Sequence, residues 1–316
     1  MINPIKNPSS LFFGSTTDFI GLHPDIGLRV FGKSRTGDYD YIVYVPAHIH
    51  QETPLTINTY VSPETDPLST AKKTLVIIDN GSSIYIHDKS HSNNPNPTQI
   101  TAEIEYWIGD YANLELLYDQ ELPLTAHTSV AMNFYVARHS LATINCLISG
   151  GSHSSVTLNL HAQGERSHIQ VRGAYILNGS QQACITIYQN HSTSHTQSDV
   201  IIKGVLADNA QSEYKGLICI AKDAPYTDAV QENKNLLIGE QCRALSQPSL
   251  EILNNEVRCA HGSAVGQIDN DLLFYIQSRG IPTDQATLLL TEGFIAGLFD
   301  GEVYTLARNR INTILS

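Results

Sequence analysis

The sequence predicts a mainly β protein with a small helical domain at its C-terminal end, and two observations support this fold class. Between about residues 39 and 256, short runs rich in β-branched and aromatic residues recur between Gly, Asn, Asp and Pro, with no convincing amphipathic helix among them. After Asp269 the pattern changes to helix start and stop signals. We therefore expect a poorly defined N-terminal segment over residues 1–38, a β core over residues 39–268 and a helical domain over residues 269–316.

The β segments form two series, separated by a polar loop at about residues 90–98. The segments are Tyr41–Val45, Leu55–Thr59, Thr74–Ile78 and Ser83–His87, then Glu103–Ile108, Thr143–Ile148, Val156–Leu160, His168–Val171 and Ala183–Tyr188. Several alternate apolar and polar residues, as half-buried strands do. So many strands fit a sandwich, a barrel or a stacked solenoid. No fixed-period repeat is apparent, so the pattern alone leaves sandwich and solenoid equally open.

Three helices are predicted after the β core. Asp269 can cap the first, over residues 271–279, and Gly280 closes it. Pro282 suits the first turn of the second, which runs to about Phe299, and the third covers Val303–Leu315. The first helix is apolar all round and the second carries two apolar stripes, so both need cover on more than one face. The helices therefore either fold as a compact cluster on the end of the β core or offer a docking surface to another protein.

Composition excludes several classes of protein. The formal charge is -12, so the chain has no excess of Lys and Arg to neutralise a nucleic acid backbone. No apolar run approaches the roughly 20 residues that span a bilayer, and the first residues lack the apolar segment of a signal peptide, so we expect a cytoplasmic protein without a membrane partner. The five cysteines are odd in number and widely spaced, which favours reduced thiols over a disulfide framework.

Cys259 and His261 are the residues most suited to bind a metal or cluster. They lie two apart in Glu256-Val-Arg-Cys-Ala-His-Gly262, so on a strand both project to one face. Two ligands leave a metal short of its usual four, so a second subunit would have to supply the others. A buried thiol and a hydrogen-bonded imidazole are the ordinary alternative for this pair, and for Cys242 the favoured interpretation is a small buried apolar side chain.

Catalytic motifs are not apparent. Gly150-Gly-Ser-His153 has no nucleophile elbow, and no phosphate loop or dinucleotide fingerprint occurs. Five histidines in the β region lack helical ligand spacing, and most are expected on coil surfaces or in turns: His153, His161, His168, His191 and His195. Scattered carboxylates leave a carbohydrate-active β-helix as an alternative, although such proteins usually carry a secretory signal.

Seven short motifs follow one another after the second series of strands. They are Lys203-Gly-Val-Leu206, Tyr214-Lys-Gly216, Tyr226-Thr-Asp-Ala229, Asn233-Lys-Asn-Leu-Leu237, Pro248-Ser-Leu-Glu-Ile252, Arg258-Cys-Ala-His-Gly262 and Val265-Gly-Gln-Ile-Asp269. Their order and spacing resemble the core of the SufB/SufD family of iron–sulfur cluster assembly scaffolds. The resemblance is clearest over about residues 199–300 and continues through residues 100–198, and the helices after Asp269 resemble that family's C-terminal helices.

The resemblance implies a right-handed parallel β-helix with a C-terminal helical domain, and a scaffold without enzymatic turnover. It implies pairing with SufB, or with a second copy, and docking of the SufC ATPase. No cluster would be bound stably by this chain alone, and a transient iron–sulfur cluster would form at the SufB junction near His261, Cys259 and Cys242. The residues implied for SufC docking are Leu272, Phe274, Tyr275, Arg279, Ile281, Pro282, Phe294 and Phe299.

Two features of the resemblance point to different branches of the family. The Cys-Ala-His-Gly262 segment resembles the SufD branch, whereas Gly239-Glu-Gln-Cys242 resembles the SufB branch. The alternative to a SufD-like subunit is therefore a homodimeric, SufB-like scaffold in which Cys242 and Cys259 have a larger part.

Overall fold

The computed structural model describes residues 19–23, 28–32, 39–60, 68–91 and 98–315, and within them the chain forms eighteen strands and three helices. The strands are β1 (Phe19–His23), β2 (Leu28–Gly32), β3 (Tyr41–Val45), β4 (His50–Tyr60), β5 (Leu68–Ile78), β6 (Ser83–His91), β7 (Thr98–Ile108), β8 (Asn113–Leu122), β9 (Ala126–Val136), β10 (Leu141–Gly150), β11 (His153–Ala162), β12 (His168–Leu177), β13 (Gln182–His191), β14 (Gln197–Ala207), β15 (Gln211–Ile220), β16 (Asp228–Ile238), β17 (Arg243–Ile252) and β18 (Arg258–Gln267). The helices are α1 (Asn270–Ser278), α2 (Thr283–Ile295) and α3 (Gly301–Leu315).

Successive strands from β3 onward alternate between two sheets. The odd-numbered strands pair in parallel up to β17, and the even-numbered strands pair in parallel from β4 to β18. Each coil of the chain therefore contributes one strand to each sheet and covers the coil before it. This arrangement is a parallel β-solenoid, which confirms the fold class and excludes the sandwich. The antiparallel strands β1 and β2 extend one sheet beyond β3, within the segment that sequence analysis left undefined.

The length of a coil varies along the solenoid. Paired residues on neighbouring strands are separated by as few as 26 residues, between His127 and His153, and by as many as 33, between Tyr41 and Thr74. The corners between strands absorb most of the difference, because the parallel ladders remain in register apart from one irregularity between Gln51 and Leu55 of β4. This variation explains why no fixed repeat is visible in the sequence.

Inward-facing side chains form continuous columns along the solenoid. In parallel strands, residues paired across the ladder point the same way, so apolar residues stack on one another from coil to coil. The rings of Tyr106 and Phe134 stack with centroids 4.7 Å apart, and both side chains are fully buried. Burying a large apolar side chain contributes about 1.5–3 kcal/mol, so the stacked columns are the main source of stability.

The helices lie against the flank of the solenoid. α3 packs on the outer face of β10, β12 and β14, and the apolar residues shared between helices and sheet form a second core. Its buried members are Leu117, Leu147, Ala174, Ile176 and Val205 from the strands, and Ile295, Leu298, Phe299, Val303, Ala307 and Ile311 from the helical region. The helical domain therefore packs on the side of the solenoid. One of the two predicted alternatives had placed it on the end.

The helix ends lie within two residues of the predicted ones, except at the end of α2. Asp269 accepts hydrogen bonds from the amides of Asp271 and Leu272, as predicted for the cap of α1. α2 ends at Ile295, four residues before the predicted Phe299, because Ala296 is extended and Gly297 has a φ of 76°. None of the described helices is long and apolar enough to cross a membrane.

Candidate functional site

The last coil of the solenoid, β17 and β18, forms an open end. β17 and β18 are the final strands of their sheets, and most of their residues are exposed. Side chains that would be interior in an earlier coil, such as Leu250, Ile252 and Val265, are each at least 38% exposed. The solenoid therefore ends in a partly apolar surface with two unpaired strand edges.

Cys259 and His261 lie on β18 at this open end. Cys259 pairs with Ala229 and His261 with Gln231, and both partners on β16 are fully buried inside the solenoid. By the parity of the ladder, the thiol and the imidazole are on the inward-facing side of β18. His261 is exposed because no further coil covers it, and Cys259 is half-buried. The predicted shared face is confirmed.

The Cys259 thiol is not activated in this environment. Burial, and next the charge of Asp228, raises its pKa above the ordinary value, so the neutral thiol is the stable form at neutral pH. A thiolate ligand would need a metal or a neighbouring cation to displace the proton. Among the described residues, no group of three or more His, Cys, Asp or Glu could hold a metal ion.

Cys242 lies far from this pair. It follows the C-terminal end of β16, whereas Cys259 pairs with Ala229 near the start of that strand. At about 3.3 Å per residue, the strand separates the two sulfurs by on the order of 30 Å. Its Sγ lies 3.2 Å from the carbonyl oxygen of Leu206 and 3.3 Å from that of Asp208, and burial raises its pKa, which disfavours a thiolate.

α1 and α2 carry four exposed large apolar residues, which we refer to together as the docking face: Leu272, Phe274, Tyr275 and Leu289. α1 has no buried residue, and Phe274 is 71% exposed. Among the other residues implied for docking, Arg279 lies over the Tyr275 ring and Pro282 is exposed. Ile281 and Phe294 are half-buried, and Phe299 is buried in the second core beneath the helices.

Comparison with known proteins decides the family. The model described as SUF system FeS cluster assembly, SufBD core domain, matches residues 60–294. The chain belongs to this family. The match covers the solenoid from β5 to β18, together with α1 and nearly all of α2.

Curated relatives agree with this family at modest identity. A SufBD family protein from Mycobacterium leprae is 30% identical over 213 residues, covering 65% of this chain and 52% of the relative. The SufD proteins of Escherichia coli and Bacillus subtilis are 28% and 26% identical, covering 56% and 80% of this chain and 42% and 58% of the relatives. The chain thus spans about half the length of these curated relatives.

Sequence reasoning missed a polar interior in the last coils of this SufBD core. Gln231 Nε2 donates to Gln189 Oε1 at 2.6 Å, and Asn235 Nδ2 donates to Asn233 Oδ1 at 2.8 Å. All four side chains are buried inside the solenoid. The signal was the spacing of residues 231, 233 and 235, which places three amide side chains on the buried side of one strand.

Two glycines of the family motifs make room for these amides. A Cβ on Gly216 would lie 2.0 Å from Gln231 Oε1, and a Cβ on Gly204 would lie 2.3 Å from Asn235 Oδ1. The motifs around residues 204, 216 and 233 therefore describe one buried arrangement below the open end.

His191 also lies outside the predicted pattern for the histidines. It is buried in the interior, with Nδ1 2.7 Å from Thr196 Oγ1 and Nε2 2.8 Å from Ser198 Oγ. Burial lowers its pKa to about 4, so the imidazole is neutral and structural. The signal was the alternation of β13, in which Ala183, Ile185 and Ile187 face inward and His191 has the same parity.

Proposed function

We propose that this chain is a SufD-like scaffold subunit that pairs with SufB through its open end and docks the SufC ATPase through its helices. The proposal rests on the open end of the solenoid. There this member of the SufBD family exposes, beside His261, apolar side chains that would be buried in an earlier coil. We propose a structural role without turnover of its own. A transient iron–sulfur cluster is then cargo, held at the seam between two subunits.

Pairing at the open end has a physical basis. Unpaired edges of β17 and β18 and the exposed Leu250, Ile252 and Val265 favour contact with another apolar surface. A second solenoid end can continue the columns of both sheets and bury these side chains. A second copy of this chain offers the same surface, so the mass of the complex distinguishes SufB from self-pairing.

His261 has the chemistry required of a residue at such a seam. A neutral imidazole donates a nitrogen lone pair to iron, and the exposed ring is accessible before and after a partner approaches. Cys259 adds sulfur on the same face, and the partner would supply the remaining donors. Cys242 is too distant to share this seam, which favours the SufD-like proposal over the SufB-like one.

Replacing His261 with Ala should lower the rate of cluster assembly by the reconstituted complex severalfold while leaving the thermal stability of the chain unchanged. The measurement is cluster absorbance and iron content over time with purified partners. His153→Ala is the matched control, because His153 is an exposed strand histidine on the outer face of β11. Equal rates for the two variants would remove His261 from the proposed site.

Docking of SufC is tested on α1. Phe274→Ser should reduce the affinity for SufC at least tenfold, because exposed aromatic anchors carry much of the binding energy of an interface. Leu124→Ser is the control, since Leu124 is a similarly exposed apolar residue at a strand turn of the solenoid. Binding measured by calorimetry should be unchanged in the control. Unchanged affinity of Phe274→Ser would contradict docking at this face.

A further inference from the structure

Lys203, from the first family motif, joins the solenoid to the helical domain. It lies on the outer face of β14, paired in the ladder with Ala174 and with Lys234. Its Nζ donates a hydrogen bond to the carbonyl oxygen of Phe294 at 2.6 Å and lies 5.2 Å from the centroid of the Phe294 ring. The contact spans ninety-one residues of sequence.

The carbonyl oxygen of Phe294, which accepts this hydrogen bond, lacks the amide partner it would have in a continuing helix. Phe294 is in the last turn of α2, and the amide of Leu298, which would reach it in a continuing helix, donates to Ile295 O instead. Carbonyls at a helix C-terminus carry partial negative charge, so an ammonium group is well suited to this position. No basic residue of α2 itself occupies its last turn. Lys203 therefore completes the end of a helix from another part of the chain.

The charged neighbours and contacts of Lys203 distinguish it from the adjacent Lys234. Burial, followed by the charge of Lys234, lowers its pKa, while Glu232 acts in the opposite direction. Lys234 has a partner of its own in Glu232 and is about half exposed. Two lysines thus lie side by side on one face, and only Lys203 contacts the helices in the described contacts.

We propose that Lys203 is a positioning residue for the docking face. By fixing the end of α2 on β14, its ammonium group sets the orientation of α1 and α2 relative to the open end. The inference rests on the proposed function, in which α1 binds SufC. It adds the residue that holds the face in place, which does not itself contact the partner.

The first test is made on the chain alone, by amide hydrogen exchange. Lys203→Met keeps most of the aliphatic stem and removes the charge and the donor, so exchange in α2 should become roughly tenfold faster. Lys203→Arg keeps a cation and should retain most of the protection. Lys234→Met is the control and should exchange like the unmodified chain. Unchanged exchange in Lys203→Met would overturn the inference, whatever the helices bind.

The second test measures SufC binding by the same three variants. Lys203→Met should bind more weakly, with Lys203→Arg and Lys234→Met close to the unmodified chain. If Phe274→Ser loses binding and Lys203→Met does not, docking stands and the positioning role is wrong. If Phe274→Ser also keeps its affinity, the docking proposal itself fails, and the exchange result alone decides whether Lys203 holds α2.

Discussion

Individual polar residues distinguish the interior of this solenoid from a plain hydrophobic stack. Near the N-terminal side, the Asp88 carboxyl is 3% exposed, and its Oδ1 has no hydrogen-bond partner among the described residues. Burial raises its pKa to about 7, although the charge of Lys72 acts in the opposite direction. The carboxyl is thus taken out of water with one oxygen that has no compensating hydrogen bond from the described residues.

Asp88→Asn should stabilise the protein at alkaline pH. A folded-state pKa of about 7 against 3.8 means that the folded state holds this proton more tightly, so the stability it confers is complete below about pH 4 and is lost as the pH rises through 7. At pH 8 the variant should gain roughly 2–4 kcal/mol, since one pKa unit corresponds to about 1.4 kcal/mol. Denaturant unfolding between pH 4 and 8 measures the difference.

The exposed Asp223 provides the control for this change. Asp223→Asn makes the same substitution at an exposed position and is measured in the same way. A pH-independent effect of Asp88→Asn would show that the Asp88 carboxyl ionises freely in the folded protein.

Among the secondary-structure elements, α3 is fixed by a buried ion pair. Arg310 donates to Asp119 Oδ1 and to the carbonyl oxygens of Gln120 at 3.0 Å and Leu147 at 3.3 Å. Burial acts to raise the Asp119 pKa, but the hydrogen bond from His91 and the charge of Arg310 outweigh it and hold the pKa at about 2. Because both partners are buried, removal of either leaves a charge without compensation.

Arg310→Met should destabilise the protein by about 3–5 kcal/mol, because Asp119 would remain ionised and buried without its guanidinium. Arg308→Met is the matched control on the same helix: Arg308 pairs with Glu292, but its side chain is 54% exposed and solvent screens the pair, so its loss should destabilise the protein far less than Arg310→Met. Chemical denaturation of both variants gives the comparison. Similar losses for the two would mean that the buried pair has no special part in holding α3.

The bounds of individual strands were predicted well from the sequence, whereas the packing of the helices on the sheet was not. The predicted strand Thr143–Ile148 lies inside Leu141–Gly150, and at its C-terminal end Ser149 and Gly150 interrupt the apolar pattern without ending the ladder. The site of α3 on the sheet was not predicted. Its signal lies in outward apolar residues such as Leu117, Leu147 and Val205, but a single sequence does not reveal which neighbour covers them.

At the scale of the whole molecule, the last coil shows which relative positions the sequence predicts and which depend on the fold. Strand alternation predicts from the sequence alone that Cys259 and His261 lie on one side of β18. The distance from Cys242 to this pair depends instead on how the coils fold. Cys242 precedes Cys259 by only 17 residues in the chain, yet the solenoid places it beyond the opposite end of β16. Residues close in sequence separate here because each coil crosses the molecule twice.

The open end gives the prediction that tests the whole architecture. Leu250→Lys should abolish pairing with SufB, or with a second copy, because a charge would be buried at the seam without a partner. It should change the stability of the isolated chain by no more than about 0.5 kcal/mol, since Leu250 is already 38% exposed. Leu124→Lys, away from β17 and β18, is the control. Light scattering of the mixed subunits measures pairing, and a complex of undiminished mass with Leu250→Lys would place the contact elsewhere on the solenoid.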